Sequence, residues 1–177
     1  MAIDVYLQLD GIKGESSDSQ HAGWIECSMI DWMISQPKSA TSPSAGGHTA
    51  ERCEHSSLAL RKVSDLATPI LLQYCSMGKT IPSARLEFFR ADGLGARVKY
   101  FDIVLANVLI GEVAPEVSEG DVLSEHVSLK YSKVQWRYTQ QKVSGGTAGL
   151  TAGGWDFDNY GNFVNSSNNA DAFFVIE

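Results

Sequence analysis

The feature that most constrains the fold of this chain is the alternation of apolar and polar residues along much of its length. In residues 3–9 every second side chain is apolar. A period of two places successive side chains on opposite faces of a β-strand. The same period recurs, with turn-forming residues between the segments, in residues 58–60, 86–88, 98–113, 127–131 and 134–138. Many short strands of this kind are typical of a β-barrel or a β-sandwich.

One segment, residues 68–78, has helical spacing instead. Thr68 is expected to be the N-cap, Pro69 suits the first helical position, and Gly78 supplies the stop. Apolar residues recur at helical spacing within it: Leu71, Tyr74 and Cys75. A short helix with one apolar stripe must pack against a sheet or a neighbouring subunit. The chain is therefore predicted to be mainly β: a β-barrel of two packed antiparallel sheets with one short flanking α-helix.

Two of the strand segments are irregular. Residues 24–35 alternate, but both faces are partly apolar: Ile30, Trp32 and Ile34 lie on one face, and Cys27, Met29, Asp31 and Met33 on the other. This pattern favours a strand that is covered on each side. In residues 98–113 the phase slips where Tyr100 adjoins Phe101, which indicates either a bulge or two strands joined end to end.

The length of 177 residues suits one domain, which we place at residues 1–143. Within it, the prolines, glycines and small polar residues of 36–49 predict a long loop, which is either a surface excursion or a docking arm. From residue 144 the composition shifts to Gly, Thr, Asn and Ser. This shift predicts a poorly ordered tail over 144–177, although residues 172–176 (AFFVI) are apolar enough to rest on a surface.

The overall composition excludes several classes of protein. The apolar fraction of 44% fits a folded domain, and the sequence has no apolar run of the roughly 20 residues that a membrane-spanning helix needs, so no membrane insertion is expected. The net charge of −7 disfavours nucleic-acid binding, which requires a basic face. The first ten residues read as a strand rather than a cleaved leader, so we expect the chain to fold in the cytoplasm and to leave the cell, if it does, without a cleaved signal peptide.

No arrangement of residues in the sequence is typical of catalysis or of metal binding. Ser16, Asp18 and His21, or Ser124, Glu125 and His126, combine the residue types of a hydrolase but lack a nucleophile elbow. The spacing of His48, Cys53 and His55 fits none of the common zinc patterns, and Cys27, Cys53 and Cys75 read as reduced thiols. We therefore predict no enzymatic activity, no catalytic residue, no cofactor and no metal.

The tryptophans leave open a binding module of another class. Trp32 and Trp136 occupy apolar strand positions and are expected in the core, whereas Trp24 and Trp155 remain available for stacking on a ligand. The alternative function is accordingly a β-sandwich module that binds carbohydrates or other small ligands.

Four segments together resemble the hemolysin-coregulated proteins of type VI secretion systems. They are the opening MAIDVYLQLDGIKGESSDSQHAGWIE, the helix and following strand ATPILLQYCSMGKTIPSARLEFFRADG, the strand pair LSEHVSLKYSKVQWRYTQQ, and the motif AGGWD. The similarity runs from Met1 to Asp156, and the chain departs from the family pattern in the residues that follow. Each motif is weakly specific alone, but their order and spacing together are distinctive.

The resemblance implies a structural protein that is also exported. Members of this family form homohexameric rings that stack into the inner tube of a contractile device resembling a phage tail tube. The implied partners are other copies of the chain, the spike protein, the contractile sheath and baseplate components, and small effector proteins held in the lumen. The implied localisation is cytoplasmic during assembly and then extracellular or inside a target cell.

The residues 24–35 and the long loop supply the candidate contact sites. Asp31 is expected to face the lumen, because a charged residue in a covered strand is costly unless it reaches water, and Met29 and Met33 share its face. Contacts with an adjacent subunit or the next ring are assigned to the loop residues Ser39, Ala40, Thr41, Ser42, Pro43, Ser44, Ala45, Gly46 and Gly47.

Overall fold

The computed structural model describes residues 3–37, 52–92, 95–142, 145–158 and 161–162. Within them one helix, α1, accompanies twelve antiparallel strands. The elements are β1 (Ile3–Leu9), β2 (Ile25–Cys27), β3 (Met29–Asp31), β4 (Ile34–Ser35), β5 (Glu54–His55), β6 (Leu58–Val63), α1 (Thr68–Met77), β7 (Thr80–Ala91), β8 (Arg97–Glu116), β9 (Ser124–Lys130), β10 (Lys133–Gln141), β11 (Thr147–Asp156) and β12 (Gly161–Asn162).

Strand β8 organises the main sheet because both of its halves are paired. Residues 101–106 pair with β10, residues 109–116 pair with β9, and β7 runs along the other edge from residue 97 to residue 109. One arm of the sheet therefore has the order β12-β11-β10-β8-β7-β1-β2, and a second arm continues from β8 through β9 and β6 to β3. Strands β4 and β5 form a separate two-stranded ladder.

The two arms meet at β2 and β3, which are consecutive in the chain. β2 pairs with β1 and β3 pairs with β6, so the hydrogen-bonded ladder is not closed into a barrel between them. The covalent chain spans this seam at Ser28, whose backbone N–H donates to the carbonyl oxygen of Arg61 at 2.8 Å. The predicted mainly β fold with one flanking helix is confirmed. The predicted barrel is corrected in one respect: at this seam the covalent chain, rather than a ladder of hydrogen bonds, joins the two arms of the sheet.

Alternate strand residues form one apolar core between the two arms. Its most deeply buried members have relative exposures of 2% or less, and burying each such side chain contributes about 2 kcal/mol. They include Leu7, Leu60, Leu71, Ile81, Leu86, Ile103, Leu105, Val108 and Leu129.

Two bulges bend β8 without breaking it. Phe88 pairs with Phe101 and Phe89 with Lys99, so Tyr100 is an extra residue at this point. A second shift leaves Gly111 unpaired between the registers of β8 and β9. The slip in the sequence pattern is thus a bulge, and the alternative of two strands joined end to end is wrong. Bulges increase local twist, which allows one long strand to serve both arms.

The helix begins and ends close to the predicted positions, but its N-cap differs. Ala67 occupies the cap position without a side-chain hydrogen bond, so Thr68 is not the N-cap. The Thr68 hydroxyl instead accepts a bond from the Asp65 backbone N–H and donates to Glu125, both at 3.0 Å. Gly78 is the predicted stop, with a left-handed φ of 62°. Among the described residues, no helix has the length and apolar character needed to cross a membrane.

The segment 24–35 is three short strands rather than one. Residues 25–27 join the ladder of β1, residues 29–31 join that of β6, and residues 34–35 pair with β5. A single alternating pattern cannot follow this path, because the chain changes partner at Ser28 and again after β3.

The first part of the predicted tail is a strand. Residues 147–156 form β11, which pairs with β10 along most of its length, for example Trp136 with Gly153. A Gly- and Thr-rich segment is expected to be disordered when it has no partner strand. Here the edge of β10 provides backbone hydrogen-bonding groups along its length, and the segment pairs with them. Residues 163–177 lie outside the described residues, and the division into a domain at 1–143 and a tail stays a prediction.

A buried ion pair ties the helix to the sheet. Lys62 of β6 and Glu125 of β9 are opposite each other, both are almost fully buried, and Nζ lies 2.6 Å from Oε1. Nζ also lies 2.8 Å from Asp65 Oδ1 and 3.3 Å from the Thr68 hydroxyl. Charges this deep are costly unless they are paired and hydrogen-bonded, so the cluster favours one placement of the helix start.

We predict that Lys62→Met lowers the free energy of unfolding by about 3 to 5 kcal/mol, because it leaves Glu125 charged and unpaired in the core. The double variant Lys62→Met/Glu125→Leu removes both charges and is expected to regain most of this loss. Urea unfolding monitored by tryptophan fluorescence measures both. A loss below about 1 kcal/mol in the single variant would show that the pair does not hold the helix.

Candidate assembly surfaces

Exposed apolar residues follow the margin of the sheet around β3. Met29, Met33 and Ile34 are all exposed, and Met33 keeps 63% of its surface accessible. We call these three residues the edge patch. The predicted site residues Met29, Asp31 and Met33 are therefore all at the surface. Ile30 and Trp32 on the other side of this segment pack against the core, so the segment is covered on one side only within the described part of one subunit.

Cys27, predicted on the same face as Met29, is not part of this patch. Its side chain is buried in the core, and this burial raises the pKa of the thiol to about 12. The two residues differ because Ser28 lies between the ladders of β1 and β6, so the alternation of faces restarts there.

A polar surface extends inward from Asp31 across the outer face of β6 and β9. Asp31 is paired with Ala59, Ala59 with Ser128, and Arg61 with His126. Side chains of directly paired residues share one face, and apart from Met29, which is paired with Arg61, this face carries small or hydrophilic residues. We call it the polar face. It is suited to contact with water rather than to close packing.

A second exposed apolar group lies at the far end of β6. Val63, Leu66, Val122 and Leu123 are all exposed, and Leu66 is 66% accessible. The backbone N–H of Ser64 donates to the carbonyl oxygen of Leu123 at 3.0 Å, which joins the two chain segments. We call these four residues the helix patch. The helix patch lies at the end of β6, whereas Met33 and Ile34 of the edge patch lie beside Ser56 and His55, before its start. Met29, the third residue of the edge patch, is paired with Arg61 and lies beside the polar face.

The loop assigned to inter-subunit contact cannot be placed on this surface. Residues 39–47 lie outside the described residues, and so does His48 of the rejected metal set. Among the described residues, no three His, Cys, Asp or Glu side chains are grouped as metal ligands.

The loop that carries the KGESSDSQH motif is clamped onto the outer side of β1 and β7. Its backbone forms a chain of hydrogen bonds: Gly14 N–H to Gly23, Gly23 N–H to Ser16, and Ser16 N–H to Trp24, at 2.8 to 3.0 Å. A Cβ on Gly14 would lie 2.8 Å from the Cα of Ile25, so only glycine fits this approach.

His21 is the centre of this clamp and is 2% exposed. Nδ1 lies 2.7 Å from Asp18 Oδ1, and Nε2 lies 2.9 Å from Glu87 Oε2. Each ring nitrogen therefore lies within hydrogen-bonding distance of one carboxylate oxygen, and the ring links the loop to β7. The ring also stacks on Tyr6 at 4.5 Å and meets Trp24 and Phe89 edge-on. Sequence reasoning missed Glu87, which lies 66 positions away.

The clamp lowers the pKa of both carboxyl groups. For Asp18 the main cause is the hydrogen bond from His21, assisted by an ion pair with Arg97. For Glu87 burial acts in the opposite direction, but the hydrogen bonds from His21 and Lys99 outweigh it. These interactions stabilise the fold above the ordinary carboxyl pKa of about 4, and the contribution is lost as the pH falls through the lowered values.

Neither hydrolase-like set has the geometry of a nucleophile and a base. With both nitrogens of His21 facing carboxylates, no nitrogen is left to accept a proton from Ser16, whose hydroxyl accepts the Asp18 backbone N–H. In the second set Glu125 is buried against Lys62, whereas Ser124 and His126 lie on the opposite face of β9.

The tryptophans proposed for ligand stacking are partly covered. Trp24 meets the His21 ring edge-on at 4.7 Å, and Trp155 packs against the core, as Trp32 and Trp136 do. No broad aromatic platform of the kind used for sugars is formed by Trp24 and Trp155, because each is already packed against its own subunit.

We predict that His21→Ala lowers the free energy of unfolding by about 3 kcal/mol, because it removes a packed ring and leaves the buried Glu87 short of a donor. The matched control His126→Ala, on the polar face, is expected to change stability by less than about 0.5 kcal/mol. Chemical denaturation at pH 7 measures both. Equal effects of the two variants would contradict a structural role for the clamp.

Comparisons with known proteins agree with this architecture. The family model described as "Type VI secretion system effector, Hcp" matches residues 6–138. The chain is 35% identical to Protein hcp1 of Pseudomonas aeruginosa over 150 residues, which cover 84% of this chain and 91% of that protein. It is 24% identical over 110 residues to the Major exported protein of the same organism, covering 58% of this chain and 63% of that protein.

The similarity extends to an experimentally solved structure. The crystal structure of Hcp1 from Salmonella typhimurium superposes with a TM-score of 0.73 at 31% identity, covering 92% of this chain and 100% of that one. The family model's match includes the clamp loop, the helix and most of the strand pair β9–β10, which belong to three of the four segments that carried the resemblance in the sequence, whereas the motif AGGWD lies beyond it. The chain therefore belongs to the Hcp family of type VI secretion proteins.

Proposed function

We propose that this chain is the subunit of a type VI secretion tube, in which homohexameric rings stack and carry small effector proteins in their lumen. The observation that carries the proposal is the presence of two separate exposed apolar patches, one at the end of β6 and one along β3 and β4. A ring requires two different surfaces on each subunit, one to contact each neighbour, and the edge patch and helix patch supply two. Family membership makes self-assembly the best-supported use of both.

The polar face is the proposed lumen wall. When neighbours cover both patches, the exposed Asp31 and Arg61 remain on a surface that is open to water. In this arrangement the charged side chains avoid the cost of burial. Met29 and Met33 border this wall and would offer adaptable apolar contacts to a folded effector.

The proposed route is assembly in the cytoplasm followed by export. Val5 and Leu7 of β1 are buried in the core, so β1 belongs to the exported fold. Export is supported by the likeness to the Major exported protein. Spike protein, sheath and baseplate components are the further proposed partners, and the proposed role is structural rather than enzymatic.

We predict that Leu66→Glu reduces the native mass of the purified protein from that of a hexameric ring to that of a single subunit, because it places a charge in the centre of the helix patch. Light scattering after size-exclusion chromatography measures the mass, and negative-stain images show whether rings are present. The unchanged chain is expected to have about six times the subunit mass.

The matched control is Asp31→Asn on the proposed lumen wall, which is expected to leave the ring mass unchanged. Both variants should retain the circular dichroism of the unchanged chain, since Leu66 and Asp31 are exposed. A subunit mass for the unchanged chain across the micromolar range would contradict ring formation. Loss of the ring in Asp31→Asn would instead place this residue in a subunit interface.

A second prediction concerns the proposed contact loop, residues 39–47. Replacing these nine residues with Gly-Ser-Gly is expected to shorten the stacks of rings, because the loop is assigned to contacts with an adjacent subunit or the next ring. Electron microscopy at high protein concentration measures the stack length. Stacks of unchanged length would contradict this role.

A further inference from the structure

A small aromatic cavity lies beside the point where the described chain leaves β11. Its volume is about 260 Å³, and it is lined by His55, Ser56, Ser57, Lys130, Tyr131 and Phe157. The rings of His55 and Phe157 meet edge-on at 4.6 Å, and His55 Nδ1 lies 3.3 Å from the Tyr131 hydroxyl. A cavity of roughly 150 Å³ already accepts benzene, so this one has room for an aromatic side chain but is small for a drug-sized ligand.

The cavity is lined by three aromatic rings and two serines, and it is basic at Lys130. Burial lowers the pKa of His55, and it raises the pKa of Tyr131 to about 12. Both shifts are those of groups removed from water, and they favour neutral rings at pH 7. Lys130 is exposed, so its charge is accessible to an acidic group next to the occupant.

Residues 163–177 have the composition that matches this cavity. Their sequence is FVNSSNNADAFFVIE, in which an apolar segment with two adjacent phenylalanines, Phe173 and Phe174, is flanked by Asp171 and Glu177. The segment contains no Lys, Arg or His. Its charge is therefore opposite to that of Lys130, and its aromatic side chains are of the size that the cavity accepts.

Residues 163–177 follow β12 directly in the chain, so they start near the cavity. β12 pairs Gly161 with Asp156 and Asn162 with Trp155, which places the start of this segment close to Phe157 in the cavity wall. Between Asn162 and Phe173 lie ten residues, among them the turn-forming run NSSNNAD. Ten extended residues reach roughly 30 Å, and a turn within them allows the chain to return to the cavity at a small entropic cost.

We propose that the cavity is a docking site for the C-terminal segment of the same chain, with Phe173 or Phe174 inserted between His55, Tyr131 and Phe157 and with Asp171 or Glu177 near Lys130. The docked segment adds cover to His55, Tyr131 and Phe157, which are each partly buried. The docking is a property of one subunit and does not depend on ring formation.

Photocross-linking of the full-length chain tests the proposal. Phe174 is replaced by p-benzoylphenylalanine, the protein is irradiated, and the cross-linked peptides are identified by mass spectrometry. We expect cross-links to peptides that contain Lys130–Tyr131 or Phe157. The matched control carries the same probe at Ser166, in the turn-forming run, and is expected to give at least tenfold less of these products.

Mixing ¹⁴N- and ¹⁵N-labelled copies before irradiation distinguishes the source of the segment. Products within one isotope support docking in the same chain, whereas mixed-isotope products overturn it in favour of a neighbouring copy. Cross-links to the edge patch or the helix patch, or no cross-link from position 174, also overturn it. Urea-unfolded protein sets the background.

Two further variants test the cavity itself. Ser57→Trp narrows it and is expected to reduce the cross-link at least tenfold, with circular dichroism confirming that the chain remains folded. Lys130→Glu keeps the cavity but reverses its charge and is expected to reduce the yield about fivefold, with recovery when Asp171→Lys is added. A yield that neither variant changes would contradict docking in this cavity.

Discussion

The structure depends on the pairing of one long strand along its whole length. The twenty residues of β8 provide a ladder to β7 on one edge and to β10 and then β9 on the other. Because both arms of the sheet begin from this strand, their relative position is set by hydrogen bonds rather than by loops. The bulges at Tyr100 and Gly111 supply the twist that a strand with two sets of partners requires.

Two sets of buried charges then place the parts that the sheet alone does not position. Lys62 and Glu125 connect the helix start to β6 and β9, and His21 connects the loop before β2 to Glu87 on β7. Each charge would be costly without its partners, so these contacts are more specific than apolar packing, which tolerates small displacements. The first set lies in the core, and the second holds the outer side of the sheet.

This framework leaves three surfaces of different character around β6 and β9. One apolar patch is exposed at the end of β6 and another along β3 and β4, and a polar face lies on β6 and β9. That arrangement is consistent with a subunit whose apolar patches contact neighbours and whose polar face meets water. The aromatic cavity beside β11 is separate from all three, which is why we assign it to the subunit's own C-terminal segment.

The sequence by itself determined the positions of β1 and of β6 to β10, the helix between Thr68 and Gly78 and the family, because alternation, the glycine stop and the spaced motifs are local patterns. Tertiary structure alone decided which strands are neighbours. Because the chain changes partner strand at Ser28, Cys27 lies in the core and Met29 lies at the surface. Residues of β11 form a strand despite their composition because they pair with β10. Glu87 meets His21 across 66 positions, and no local pattern reports such contacts, because only the packed sheet brings the two side chains together.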